Sequence, residues 1–222
     1  ILLSTLTGDL FVMTFMIILL ALSAVIAQLL KQRASKEHIL YVATLVTSII
    51  TIGAIMILQG LKQLPYAQVL LEPYQKIVNQ MIEMQNLDQQ AREVLNNSVH
   101  QLAVQLPAMI VVTIAIYLII TLMIIFPILR KFKIATPVFR PLYLWQMKRS
   151  LFIIYAIALL VSVTTEPATT INSIGINFQI VLGFLLVIQG LSFIHYFTTI
   201  KRMPVAVSVI FIVLGLSLIH IS

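Results

Sequence analysis

Long apolar runs alternate with short polar stretches along the whole chain. A membrane-spanning helix needs about 20 mostly apolar residues. The fourth run has only 16 residues, so we expect aromatic and basic neighbours to extend it by snorkelling. The pattern predicts an all-α fold: a polytopic transmembrane helical bundle forming a single membrane domain. Its six expected spans are 10–30, 39–61, 107–129, 150–165, 174–200 and 204–215.

Composition agrees with this pattern. Of the 222 residues, 60% are hydrophobic and 9% are charged, and the mean hydropathy is +1.07. A soluble domain carries about 25% charged residues. The much smaller fraction in this chain indicates a surface that faces lipid. The net charge of +7 is explained by cytoplasmic loops rich in Lys and Arg, and we expect no nucleic-acid partner.

The distribution of charge predicts the orientation. If Asp9 lies outside, the inner loops are 31–38, 130–149 and 201–202. These loops hold 11 of the 14 Lys and Arg residues and one acid, Glu37. The opposite orientation would place those 11 cations outside, against the positive-inside bias.

The outer face carries the one long polar segment, residues 62–106. Pro65 and Pro73 interrupt its start, and from Tyr74 onward it has helical periodicity. The pattern predicts one or two amphipathic helices on the bundle or at the lipid interface, with an apolar face formed by Ile77, Met81, Met84, Ala91, Leu95, Leu102 and Leu106.

Several kinds of chemistry find no support. There are no cysteines, and no Asp, Glu, Lys or Arg lies near the centre of a span, although such buried groups are typical of ion-coupled transporters. The four histidines lack metal-ligand spacing, and no catalytic or phosphate-binding motif is found. We therefore expect no enzyme, no cofactor and no metal site.

The fifth span carries the candidate ligand-binding residues Asn177, Gln179 and Gln189. An amide near mid-membrane must find a partner, either another helix or a bound solute, and the sequence leaves both open. Gly175, Gly183 and Gly190 share one face of this helix and favour close helix packing.

The inner loop 130–149 combines cations with aromatic and proline residues. Three interpretations remain: topology signalling, contact with anionic headgroups, and docking of another membrane protein. The candidate lipid- or partner-binding residues are Arg130, Lys131, Lys133, Arg140, Trp145, Lys148 and Arg149.

These features resemble the YybS-like family, multi-pass membrane proteins of Gram-positive bacteria. The resemblance extends roughly from Gly8 to Leu214, and its motifs are Leu106-Pro107, Arg130-Lys131-Phe132, Pro141–Trp145, Asn177, Ile188-Gln189-Gly190-Leu191 and His195-Tyr196-Phe197. It implies a bacterial cell-membrane location and a distant similarity to the substrate-binding S components of energy-coupling-factor transporters.

The two ends carry separate expectations. Family members are longer at the amino end, so we expect one or two further spans before Ile1. Residues 216–222 resemble a sequencing adaptor read in frame, and we expect them to be an artefact.

Two hypotheses for function remain. One is a transport-related, S-component-like protein that captures a small solute on the outer side, with segment 62–106 as a lid. The other is a scaffold or regulatory protein that binds another membrane protein or anionic lipid through loop 130–149.

Overall fold

The computed structural model describes residues 10–85, 88–138, 142–166 and 169–204, together with 207, 209–211, 213 and 214. The fold is all-α, with 85% helix and no strand among these residues. The predicted fold class is therefore confirmed. The helices are α1 Leu10–Lys31, α2 Lys36–Gly60, α3 Ala67–Gln85, α4 Gln89–Lys131, a 3₁₀ turn Leu142–Leu144, α5 Arg149–Thr164 and α6 Thr170–Ile200.

Four helices in the described part of the chain are long and apolar enough to cross a membrane, namely α1, α2, α4 and α6. The expected count of six spans is thus corrected to about four. The 16 residues of α5 extend about 24 Å, short of the roughly 30 Å hydrocarbon core. The sixth expected span, 204–215, is only partly described, and residues 216–222 lie outside the described residues.

The chain divides between Pro137 and Val138 into two compact bodies. In the first body, α2 packs against both α1 and α4, and α3 packs against α4. Its core is built from the buried residues Leu22, Ala43 and Leu118. Other large apolar side chains remain on the surface, as expected where lipid replaces water.

The long polar segment 62–106 contributes to a helical hairpin, α3 against α4. Pro73 lies inside α3, which begins at Ala67, so the helix starts before the expected Tyr74. Pro107 lies inside α4 and does not open a separate span. The 43 residues of α4 extend about 65 Å, twice the hydrocarbon thickness. One continuous helix therefore provides both half of the hairpin and a complete span.

The second body is built on the contact between α5 and α6. Gly175 lies where the two helices approach, because a Cβ added there would be 3.0 Å from Val161 Cγ1 and 3.2 Å from the Ser162 backbone nitrogen. A Cβ at Gly190 would meet nothing within 4 Å. Only part of the predicted glycine face thus serves close packing.

The helix α6 begins before residue 174, where the fifth span was expected to start. The helix begins at Thr170, and Asn172 is 6% exposed. Its side-chain nitrogen donates to the Ser162 carbonyl at 2.8 Å and to Thr165, so it satisfies carbonyls at the end of α5.

Four helices end in the same backbone motif with a cation in the left-handed conformation. These residues are Arg33, Lys62, Lys133 and Arg202, with φ between 49° and 61°. At each end, the N–H of the cation donates to the carbonyl three residues earlier, and the N–H of the next residue donates to the carbonyl five residues before it, as in the Schellman motif. Glycine is the usual residue at that position, and another residue costs about 1 kcal/mol.

Candidate functional site

The three candidate ligand residues of α6 all form hydrogen bonds within the second body. The Asn177 side-chain nitrogen donates to the Ser173 carbonyl at 2.8 Å. Gln179 Oε1 accepts from Ser162 Oγ of α5 at 2.8 Å, and Gln189 Oε1 accepts from the Met147 backbone N–H at 2.8 Å. The structure does not bring the three together, since Asn177 and Gln189 are about 18 Å apart along the helix axis.

Gln189 belongs to a series of contacts that holds the segment 143–147 along α6. Ser192 Oγ, buried with its side chain at 2% exposure, donates to the Trp145 carbonyl at 2.8 Å. The His195 ring meets the Tyr143 ring edge to face, with centroids 5.4 Å apart. Along these contacts the residue numbers increase in α6 and decrease in the segment, so the segment runs antiparallel to the helix. We call this arrangement the α6 ladder: Gln189, Ser192 and His195 against Met147, Trp145 and Tyr143.

The α6 ladder explains two residues that the sequence singled out. Gln189 accepts a hydrogen bond from a backbone N–H of loop 130–149, which was neither of the two partners expected for it. Trp145, a candidate lipid or partner contact, is half-buried and its carbonyl is held by Ser192. Gln189 and Ser192 are three residues apart and so lie on one face of α6. The sequence does not identify their partners, because these lie more than 40 residues away along the chain.

The candidate cations of the inner loop fall into the two bodies. Arg130 and Lys131 end α4, and exposed Lys133 follows them. Arg130 Nε lies 3.4 Å from the Phe126 carbonyl, to which it donates. Lys148 caps α5 without a side-chain hydrogen bond and Arg149 begins that helix, while Arg140 lies outside the described residues.

The charges at the start of α5 are unfavourable for the helix itself. The amino end of a helix is the positive end of its dipole, so anions rather than cations stabilise it. Lys148 and Arg149 therefore do not stabilise α5 through its dipole.

A groove between α3 and α4 has a lining of both polar and apolar side chains. Its volume is about 280 Å³. Gln75 Nε2 donates to Asn96 Oδ1 at 2.8 Å across it and to Asn79 Oδ1 at 3.2 Å. The groove combines four polar side chains with an apolar base, and its lining is Leu71, Glu72, Gln75, Asn96, Val99, His100 and Ala103.

Sequence reasoning missed this groove because it followed a different face of α3. The expected apolar residues Ile77, Met81 and Met84 are 54%, 47% and 82% exposed. The contact with α4 instead uses the stripe that contains Leu71, Gln75, Val78 and Ile82, of which Ile82 is 8% exposed. The four-residue step from Leu71 to Gln75 was the available signal.

A second groove, between α5 and α6, is wholly apolar. It has a volume of about 350 Å³ and lies beside Gly175, Ala158 and Phe178. Such a lining offers no hydrogen bond to orient a polar ligand. In the described part of the chain, no group of three or more His, Asp or Glu side chains is placed to hold a metal ion.

Comparison with known proteins identifies the family. Residues 1–221 match the model of a family described as predicted membrane protein, DUF2232. The chain belongs to this family. Together with its four apolar helices, membership makes it a multi-pass protein of the bacterial cell membrane.

One curated relative illustrates the family. The uncharacterized protein YybS of Bacillus subtilis (strain 168) is 34% identical over 110 residues, which are 49% of this chain and 36% of the relative. The alignment therefore spans about a third of the relative's length. No solved structure matches the chain.

Proposed function

We propose that this DUF2232 protein is a transport-related membrane protein that binds a small polar solute on the outer side, in the manner of an S component. The observation that carries the proposal is the α3–α4 groove with its four polar side chains, Glu72, Gln75, Asn96 and His100. A few convergent polar groups above an apolar base are typical of small-molecule sites. The predicted orientation supports access from outside.

The lining indicates the chemistry of the solute. Glu72 supplies a carboxylate acceptor, while Gln75 and Asn96 supply amides that already face each other at 2.8 Å. A volume near 280 Å³ is at the small end of ligand pockets. These features favour a small solute with hydrogen-bond donors, such as an amine, an amide or a vitamin fragment.

The continuity of α4 connects this groove to the membrane. Asn96 and His100 lie in the same helix as the span that ends at Lys131. A solute that changes the packing of α3 on α4 would act directly on a spanning helix. This coupling supports a transport-related role more than passive storage of a ligand.

The first test is a thermal-shift screen of the purified chain in detergent against vitamins, amines and other metabolites. For any stabilising compound, we expect Glu72→Gln to reduce the shift by weakening a charge-assisted hydrogen bond, about tenfold in affinity. The matched control is Glu83→Gln, which removes an exposed carboxylate from the same helix away from the groove. A panel without any stabilising compound, or equal shifts in the two variants, would contradict the proposal.

The alternative function is a scaffold or regulatory protein that docks another membrane protein or anionic lipid through loop 130–149. The observation that favours it is the exposed cluster after α4, where Phe132 is 73% exposed between Lys131 and Lys133. Glutamine at all six cations of the loop separates the two roles. Loss of a co-purifying partner with solute binding intact would support the alternative and leave transport without support as the main role.

A further inference from the structure

We propose that Arg33, Lys133 and Arg202 bind the phosphate groups of anionic phospholipids at the inner surface of the membrane. Each residue lies at the same position, two residues past the end of α1, α4 or α6, in the left-handed turn of the same motif. All three side chains are exposed. The proposal is independent of solute binding in the α3–α4 groove.

Backbone preference does not explain these residues. The left-handed conformation is unfavourable for Lys and Arg, and glycine would adopt it without strain. A non-glycine residue held in this region indicates that its side chain has a role. Lys62 has the same conformation after α2, at the end assigned to the outside, so the choice of an anionic phospholipid rests on the charge and position of the three residues assigned to the inside.

The helix dipole does not explain them either. A cation anywhere in the last turn interacts favourably with the negative end of the helix. Lys31, Lys131 and Lys201 already lie one or two residues earlier in ordinary conformations. The second cation at each end therefore adds strain where the dipole has been compensated.

The surroundings of Lys133 favour a phospholipid over a free anion. In the described part of the chain, none of the three side chains forms an ion pair or a hydrogen bond. Next to Lys133, Phe132 is 73% exposed and Ile134 is 46% exposed. Apolar side chains beside a cation suit the boundary between headgroups and acyl chains, whereas a dissolved phosphate offers them nothing.

Topology signalling alone requires charge but no particular conformation. Cations placed anywhere in a short inner loop satisfy the positive-inside bias. Glutamine in place of Lys31, Lys131 and Lys201 therefore makes a matched control, since it removes three charges from the same helix ends outside the left-handed position.

The experiment compares two triple variants in nanodiscs of phosphatidylcholine alone and of an equimolar mixture with phosphatidylglycerol. The variants are Arg33→Gly, Lys133→Gly, Arg202→Gly together, and Lys31→Gln, Lys131→Gln, Lys201→Gln together. We expect the glycine triple to be at least as stable as the wild type in phosphatidylcholine, because strain is relieved. It should lose most of the rise in melting temperature that phosphatidylglycerol produces, at about fivefold in lipid affinity per cation.

The glutamine triple should keep the larger part of that rise. An equal loss in both triples would overturn the proposal and leave non-specific charge attraction. Stabilisation by inorganic phosphate equal to that by phosphatidylglycerol would overturn the choice of a lipid. If the glycine triple does not fold, the three single glycine variants give the same comparison, and the charge-keeping triple Arg33→Lys, Lys133→Arg, Arg202→Lys should keep the rise that the glycine variants lose.

Discussion

At the scale of single residues, Gly175 determines how closely α5 and α6 approach. Besides Val161 Cγ1, a Cβ at this position would meet two backbone atoms, the Ser162 nitrogen at 3.2 Å and the Ala158 oxygen at 3.3 Å. Backbone atoms cannot turn aside as a flexible side chain can, so the helices would have to separate. We expect Gly175→Ala to lower the free energy of unfolding by about 1–2 kcal/mol.

The control lies on the same helix. Gly190→Ala meets no atom within 4 Å and should leave stability unchanged or raise it by about 0.5–1 kcal/mol, because alanine favours helix. Unfolding of both variants in mixed micelles measures the difference. Equal effects would show that close packing at Gly175 is not what stabilises the second body.

At the scale of elements, the α6 ladder makes residues 143–147 part of the second body rather than a free loop. Gln189→Leu removes the acceptor of the Met147 N–H, and an unsatisfied group costs about 1–3 kcal/mol. We expect faster hydrogen exchange of the Met147 amide in this variant. Gln179→Leu is the control, since it breaks the contact with Ser162 and leaves the ladder intact. Unchanged exchange in Gln189→Leu would exclude the ladder.

The helices themselves were largely predictable, because apolar runs of about 20 residues admit few other structures in a membrane. Their ends were less so. Pro73, Pro107 and Asn172 each indicate a break locally, yet packing against a neighbouring helix holds all three inside helices. The α3–α4 groove and the α6 ladder depend on which faces meet, and an apolar pattern without a clear polar side does not determine that.

The left-handed conformation of the four cations could not be predicted from the sequence for a related reason. A glycine after a helix predicts a Schellman turn, whereas Arg33 and Lys133 are indistinguishable in the sequence from other charged loop residues. The number of cations in each loop predicts the orientation of the bundle. The same count does not reveal that each of these cations follows the end of a helix.

At the scale of the whole molecule, both proposed binding sites depend on which side of the membrane each helix end faces. The hairpin of α3 and α4 is assigned to the outside, where the α3–α4 groove can meet a solute, and the basic ends of α1, α4 and α6 to the inside. Solute capture requires that the hairpin faces the outside. Lipid binding requires that the basic helix ends face the inside.

The most direct measurement is single-cysteine labelling in intact cells, which the absence of native cysteines makes clean. Asn97→Cys lies exposed on the hairpin, and Gln146→Cys lies exposed in the inner loop. A membrane-impermeant maleimide should label Asn97→Cys in intact cells and Gln146→Cys only after permeabilisation. Labelling in the reverse order would contradict the orientation and, with it, both proposed binding sites.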